Sequence, residues 1–408
     1  MNAQQKPADF PSASPCLRIL RDIHRLSLIN GLILLSLFTT ACTTQNTKDE
    51  LAARTIDPDK AAAAEDSKLL WFDALDLGIE GQGWPIAELK HPYERFPARA
   101  EGVVRDAVWN LSENSAGLSI RFVTDSPVIA ARWSLRSAML DMHHMPSTGV
   151  SGVDLYAKDD KGQWRWVGAG RPKTQELSEW TLVSQAPPGE HEYQLYLPLY
   201  NGIEKLEIGL AQNTTLRKAP PYDKAHAKPI LFWGTSILQG GCASRPGMAY
   251  PSIIGRRLHR PTINLGFSGN GKMDPEIAMM IGELDVAAYV IDCGPNMTAE
   301  MVAERTEPLV RTIRAAQPKT PIVLIENIRY QHGWFIESTR NAYQSKNAQL
   351  KAAYERLQKR GVRNLYYIPC DNLLGNDGEA TVDGTHATDL GFMRMADVIA
   401  PELAKILK

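Results

Sequence analysis

The run Pro229-Ile230-Leu231-Phe232-Trp233-Gly234-Thr235-Ser236-Ile237 decides the fold class. An unbroken apolar run that ends at a glycine reads as a strand covered on both faces, with no wet side. Gly234 lets the chain turn tightly, and Ser236 lands at the strand's carboxyl end, near a helix start. Downstream the pattern repeats. Helices are expected near Tyr250–Leu258, Pro275–Gly282, Ala299–Ala316, Asn341–Arg360 and Leu390–Leu407. Between them stand the apolar runs Thr262–Phe267, Val286–Cys293, Pro321–Asn327 and Leu365–Pro369. Strand-helix alternation with continuously apolar strands predicts an α/β domain, a parallel sheet with helices on both faces, over residues 218–408. Such sheets carry their sites at the carboxyl ends of the strands.

Upstream, over residues 67–217, the period changes to two. Tyr193, Leu195, Leu197 and Leu199 alternate with other residues, as do Leu206, Ile208 and Leu210, and Ile129, Ala131, Trp133 and Leu135. Asn201-Gly202, Pro187-Pro188-Gly189 and Asp159-Asp160-Lys161-Gly162 break these patterns as turns. An all-β sandwich or jelly roll is expected here, joined to the α/β domain by a hinge at Lys218-Ala219-Pro220-Pro221. Seven of the nine tryptophans fall in this half: Trp71, Trp84, Trp109, Trp133, Trp164, Trp166 and Trp180. They could form a sugar-binding face, although core packing is the commoner fate of a sandwich tryptophan.

The polar residues at the predicted strand ends are the ones to read for chemistry. Ser236 alone could be a helix N-cap. Asn264-Leu265-Gly266-Phe267-Ser268-Gly269-Asn270-Gly271 follows the second strand, where a glycine N–H can donate to an anion. Cys293-Gly294-Pro295-Asn296 follows the third, and an Asn side chain there can donate to a developing oxyanion. Asp383-Gly384-Thr385-His386 stands just before the last helix. A serine hydroxyl needs a base within reach, and that base is usually oriented by a carboxylate. No Gly-x-Ser-x-Gly elbow and no phosphate-loop pattern is present.

Taken jointly and in order, these motifs resemble the SGNH/GDSL hydrolase superfamily. The likeness falls on Ser236, Gly269, Asn296, Asp383 and His386. Gly234-Thr235-Ser236 replaces the family's Gly-Asp-Ser, and Cys293-Gly294-Pro295-Asn296 replaces its usual Gly-Gly-Asn-Asp. Gly234–Leu258, with Gly247-Met248-Ala249-Tyr250-Pro251, resembles a GDSL-type subfamily that carries an N-terminal β-domain. Gly152-Val153-Asp154-Leu155-Tyr156 resembles the Gly-x-Asp-Leu-Tyr signature of that β-domain. The resemblance implies a flavodoxin-like catalytic domain behind a sandwich. It also implies a serine esterase with Ser236 as nucleophile, His386 as base and Asp383 as its partner. The oxyanion hole would be the N–H groups of Ser236 and Gly269 with the Asn296 side chain. The chemistry requires no cofactor.

Asp141, His143 and His144 could suggest a metal, but no second cluster accompanies them, so no metal is expected. Alternatively they lie near the rim of the site, since they precede the Gly152–Tyr156 signature. Cys242, Cys293 and Cys370 are widely spaced and read as buried free thiols.

Residues 1–42 read as an export signal. Arg18, Arg21 and Arg25 precede the apolar run Leu26–Phe38, and Thr39-Thr40-Ala41-Cys42 resembles a lipobox, with Thr39 where leucine is preferred. Cys42 is then the lipidated first residue of the mature protein, with uncleaved anchoring or plain secretion as alternatives. Residues 43–66 are expected to be a tether. The full chain of 408 residues carries a net charge of -1, which argues against a nucleic-acid partner. An exported esterase acting on short acyl groups, chiefly acetyl, of carbohydrate is expected. A lipase or thioesterase, or a non-catalytic glycan-binding protein, is the alternative.

Overall fold

The computed structural model describes residues 50–63 and 68–408. Cys42 and the apolar run before it lie outside the described residues. Residues Ile56–Lys408 form one compact unit. Its antiparallel strands are β1 (Ala62–Ala63), β2 (Leu69–Asp73), β3 (Ser119–Thr124), β4 (Val128–Leu135) and β5 (Val153–Lys158), then β6 (Trp164–Gly170), β7 (Ser178–Ser184), β8 (His191–Tyr196), β9 (Ile203–Ala211) and β10 (Leu216–Lys218). They form two five-stranded sheets, ordered β1-β2-β9-β4-β7 and β10-β3-β8-β5-β6. The alternating residues meet between them. Ile129, Ala131, Trp133, Leu206 and Ile208 of one sheet share a core with Ile120, Phe122, Leu155, Tyr193 and Leu195 of the other. The sandwich starts earlier than expected. Ile56 is buried in that core, and Ala62–Ala63 pairs with β2. Part of the 43–66 segment is therefore sandwich and not tether, because Ile56 finds a core to enter.

A third sheet of five parallel strands follows: β11 (Ile230–Gly234), β12 (Thr262–Gly266), β13 (Ala288–Asp292), β14 (Ile322–Ile325) and β15 (Leu365–Ile368). Its order, β12-β11-β13-β14-β15, is the flavodoxin-like one. Alternate residues of β11 serve opposite faces. Ile230 and Phe232 pack with Ile253 and Ile254, and with Phe392, Met395 and Ile399 of the final helix, Asp389–Ile406. Leu231 and Trp233 pack on the opposite face with Ile277, Ile281, Val310 and Ile313. Each strand thus buries both faces, as its unbroken apolar run requires. The helices at Tyr250–Leu258, Pro275–Gly282 and Ala299–Ala316 lie where the sequence places them. The next begins at Glu337, a turn before Asn341.

The second face of this sheet is completed from the β-half of the chain. Trp84, Phe96, Val104, Val108 and Trp109 belong to the core of the parallel sheet, not to the sandwich core. This corrects the expectation that residues 67–217 are all sandwich: the excursion between β2 and β3 includes the helix Asp106–Ser112 and covers the neighbouring sheet. Arg95 fastens it there. Its guanidinium is buried and donates to the carbonyls of Asn264 (3.0 Å), Gly266 (2.8 Å), Asn114 (2.9 Å) and Leu111 (2.5 Å). The expected hinge is also tied down. Arg121 Nη2 donates to the Pro220 carbonyl at 2.9 Å, and the Tyr222 hydroxyl donates to Glu80 at 3.0 Å.

Candidate active site

Ser236 opens a four-residue helical turn, Ser236–Gln239, directly after β11. Thr235 caps that turn by accepting from the Ile237 N–H. Gly240, at φ 110°, ends it in the left-handed region that favours glycine. The turn displays the Ser236 hydroxyl at the strand's carboxyl end, with the residue only 7% exposed. The Ser236 Oγ donates to Nε2 of His386 at 2.8 Å. Nδ1–H of His386 donates to Asp383 Oδ2 at 2.7 Å. The other carboxylate oxygen accepts from the backbone N–H of His386 at 2.8 Å and of Thr385 at 3.0 Å. Burial works against the Asp383 charge, but these donors prevail and hold its carboxyl down at about 2. Asp383 is thus an anion across the working pH range, and the tautomer of His386 is fixed with a lone pair toward serine.

The loop that carries Asp383 and His386 is shaped by its neighbours. Gly384 has φ 86°, and a Cβ there would overlap the His332 ring. Its carbonyl accepts from Gln331 N–H at 2.8 Å, while Gln331 Oε1 accepts from Ala380 N–H at 3.1 Å and Thr381 Oγ at 2.7 Å. Trp334 and Phe335, on the same turn as His332, are 81% and 77% exposed. A cleft lined by His332, Trp334, Thr381, Asp383 and Gly384 lies beside the dyad of Asp383 and His386.

Of the two other expected residues, Asn296 meets the loop that carries Gly269 through its side chain. Gly271 packs so closely on the carbonyl of Gly234 that a Cβ would clash. Its N–H donates to Asn296 Oδ1 at 3.2 Å, and the Asn296 NH2 group has no hydrogen-bond partner among the described residues. Gly269, at φ 69°, is exposed on that same loop, and its N–H has no partner among the described residues. The structure thus joins a hydroxyl to an oriented imidazole, and the loops after the next two strands carry N–H donors with no partner among the described residues.

Those features coincide with what comparison with known proteins finds. Residues 227–404 match the model of the GDSL-like lipase/acylhydrolase family, and residues 69–216 match that of the Gly-x-Asp-Leu-Tyr domain, the N-terminus of SGNH-hydrolase-type esterases. A Bacteroides ovatus protein described as a GDSL-like lipase is 37% identical, with TM-score 0.78, covering 83% of this chain and 98% of that one. The chain belongs to the GDSL-like lipase/acylhydrolase family. It is a carboxylic-ester hydrolase by that membership. Two further structures share the fold: a salicylyl acyltransferase from a tetracycline biosynthetic pathway (18% identity, TM-score 0.60, 86% of this chain and 97% of that one) and a family two carbohydrate esterase from Clostridium thermocellum in complex with cellohexaose (14% identity, TM-score 0.51, 72% and 93%). No curated protein is matched by sequence.

In this GDSL-like hydrolase the β-domain signature has a structural meaning. Gly152 is pressed between the carbonyls of Thr148 and Gly170, with no room for a Cβ. Asp154, fully buried, accepts from Arg245 Nη1 and from the Gly247 N–H, both at 2.8 Å. Tyr156 lies under the Arg256 guanidinium, 3.9 Å from ring centroid to Cζ. The signature therefore holds the loop that leads away from the serine turn.

Three residues of the hydrolase site, Tyr200, Gln239 and Cys242, were not legible in the sequence, and a fourth, His144, stands at the rim as expected. The Tyr200 hydroxyl donates to the Ser236 carbonyl at 3.2 Å. Gln239 Nε2 donates to the Leu199 carbonyl at 3.0 Å, and its Oε1 accepts from Ser268 N–H at 3.0 Å. His144 sets its ring edge-on to His386, centroids 5.8 Å apart, so this stretch does lie at the rim. Burial, with help from the His143 and His386 rings, lowers the His144 pKa. Cys242 is buried beside it, and that burial, reinforced by the Asp383 charge, pushes its thiol up to about 12. Asp141 and His143 are not part of this group. The Tyr200 and Gln239 contacts join segments far apart in sequence, and no local spacing signals them.

Proposed function

We propose that this hydrolase removes short acyl groups, chiefly acetyl, from carbohydrate esters, with Ser236 as nucleophile. The observation that carries the reading is the continuous relay from Ser236 Oγ through His386 to Asp383, with bonds of 2.8 and 2.7 Å. In the first step His386 Nε2 takes the hydroxyl proton as Oγ attacks the ester carbonyl carbon. The carbonyl electron pair moves onto oxygen. That oxyanion is received by the N–H groups of Ser236 and Gly269 and by the Asn296 NH2. Collapse expels the sugar alkoxide, which takes the proton from His386. Water, deprotonated by His386, then attacks the acyl-enzyme, and the acid leaves as Oγ regains its proton. Asp383 stabilises the imidazolium in both halves.

The sugar half of the reading is supported by exposed indoles. Four of the seven tryptophans in the β-half are buried: Trp71, Trp84, Trp109 and Trp133. Trp334 instead stands free beside the relay, where a ring face can take a sugar. The cellohexaose complex of the carbohydrate esterase is a precedent on the same fold. The preference for short acyl groups is supported by the low exposure of Ser236, 7%, with Tyr200 bonded to its carbonyl and His144 edge-on to its base. We also propose export and lipidation at Cys42, on the basic-apolar-small layout of residues 18–42. The test is kcat/KM for acetyl, butyryl and octanoyl esters of one alcohol, alongside acetate release from acetylated oligosaccharides. Acetyl should be the best acyl group. A rise with chain length would favour a lipid substrate instead.

A further inference from the structure

His144, Cys242 and His386 come from three separate segments, yet each offers a ligand atom, two nitrogens and a sulfur, all within 4.8 Å of one another. We propose that these three side chains form an inhibitory site for a zinc-class divalent cation, which seizes Nε2 of His386 and holds the hydrolase off. The inhibitory half of this inference rests on the proposed role of His386 as base; the binding half does not.

The donor set suits such an ion. Two imidazoles and a thiolate are borderline-soft ligands, and three protein ligands leave a fourth position for water. The surroundings of His386 favour the same outcome. A metal-bound histidine normally donates its other ring N–H to a carboxylate, which fixes the tautomer and aims the free nitrogen at the ion. Asp383 does this already, accepting from Nδ1 at 2.7 Å. The arrangement that points Nε2 at the serine proton points it equally well at a cation.

His144 supplies an independent observation. Its Nδ1 is buried with no hydrogen-bond partner among the described residues. A buried polar atom without a partner is uncommon and costly, and a metal would satisfy it. Cys242 adds another, since a non-glycine residue at φ 73° is strained backbone, and here it delivers a buried thiol to the flank of the base. Tetrahedral bonds of about 2.0–2.3 Å place ligand atoms roughly 3.3–3.8 Å apart. The present spread of 4.8 Å therefore closes with side-chain rotations of about 1 Å. On binding, the Cys242 thiol loses its proton to solvent, the Ser236 Oγ–H···Nε2 bond breaks, and the serine keeps its proton. One thiolate, with the Asp383 anion behind His386, offsets the double positive charge.

The test separates binding from activity. Zinc is titrated calorimetrically into metal-free Ser236→Ala protein, and cobalt(II) is added to the same protein to record a thiolate-to-cobalt charge-transfer band. One ion per chain and a clear band are expected. Both should be lost in Cys242→Ala and in the nearly isosteric Cys242→Ser, and affinity should fall by at least ~10²-fold in His144→Ala. With the native serine in place, zinc should suppress ester hydrolysis and a chelator should restore it. The ratio of rates with and without zinc is compared across variants, so differences in basal rate cancel. That ratio should approach one in Cys242→Ser. Absence of binding to the Ser236→Ala protein, or equal binding when Cys242 is replaced, overturns the site. A cobalt band in the Ser236→Ala protein, together with no ester cleavage by the protein with its native serine, would keep the site and reject the proposed hydrolytic role of His386. Normal hydrolysis with no band and no zinc effect would do the reverse.

Discussion

Asn296 shows how a single side chain divides its work. Its carbonyl oxygen accepts from Gly271 N–H at 3.2 Å, and this fixes which way the amide points. The NH2 end has no hydrogen-bond partner among the described residues, and under the proposed mechanism it donates to the ester oxygen that becomes an anion. Asn296→Ala should lower kcat on the order of 10²-fold or more, with KM little changed, because the lost bond strengthens only in the transition state. A rise in KM with kcat intact would place Asn296 in ground-state binding. At this scale the sequence was most informative where chemistry forces a residue type. Ser236, Asp383 and His386 meet in the structure at hydrogen-bond distances; Ser236 was legible from its place at a strand end, Asp383 and His386 from their spacing just before the last helix. Tyr200, Gln239 and Cys242 were not. Each acts through a backbone contact or through proximity that only folding creates, and a tyrosine beside an Asn-Gly turn gives no sign of holding a serine 36 residues away.

At the level of elements, the parallel strands were legible because burial on both faces demands an unbroken apolar run. Asp292 is an acidic exception inside such a strand. It ends β13, is 1% exposed, and accepts from the Tyr250 hydroxyl at 2.9 Å, while its Oδ1 has no partner among the described residues. Burial raises its carboxyl to about 7, a shift that the Tyr250 bond only partly opposes. In the unfolded chain the same group titrates near its ordinary value of 3.8. Between these values the folded state holds the extra proton, so stability from this group is fully present at low pH and is lost as pH rises toward 7. The slope approaches ~1.4 kcal/mol per pH unit inside the window. Asp292→Asn removes the penalty. Its unfolding free energy should therefore increase relative to that of the native chain from pH 4 to pH 7 in urea titrations. A difference that does not vary with pH would show that Asp292 does not titrate as described. The helix that starts at Glu337 was placed a turn late, since Glu337–Arg340 is polar and shows no apolar period.

For the whole molecule, the division of labour departs from the boundaries that composition suggests. The excursion carrying Trp84, Phe96, Val108 and Trp109 is encoded within the β-half, yet it closes the core of the parallel sheet. Period-two patterning could not reveal this, because the segment has neither period and its tryptophans suit any core. Residues 218–408 expressed alone should consequently leave part of the core around Leu231, Trp233 and Leu265 exposed, where Trp84, Phe96, Val108 and Trp109 cover it in the full chain. We expect that fragment to aggregate or to bind a hydrophobic dye, while the chain from residue 56 onward folds; a soluble, cooperatively melting 218–408 fragment would contradict the shared core.

The central claim is that Ser236, activated by His386 and Asp383, performs the acyl transfer. The most direct measurement is covalent labelling of the full chain with a serine-directed organophosphonate, followed by peptide mass spectrometry. The geometry predicts one adduct, on Ser236, with loss of esterase activity in step with labelling and no adduct in His386→Ala on the same time scale. An adduct on another residue, or full esterase activity in the Ser236→Ala protein, would contradict it.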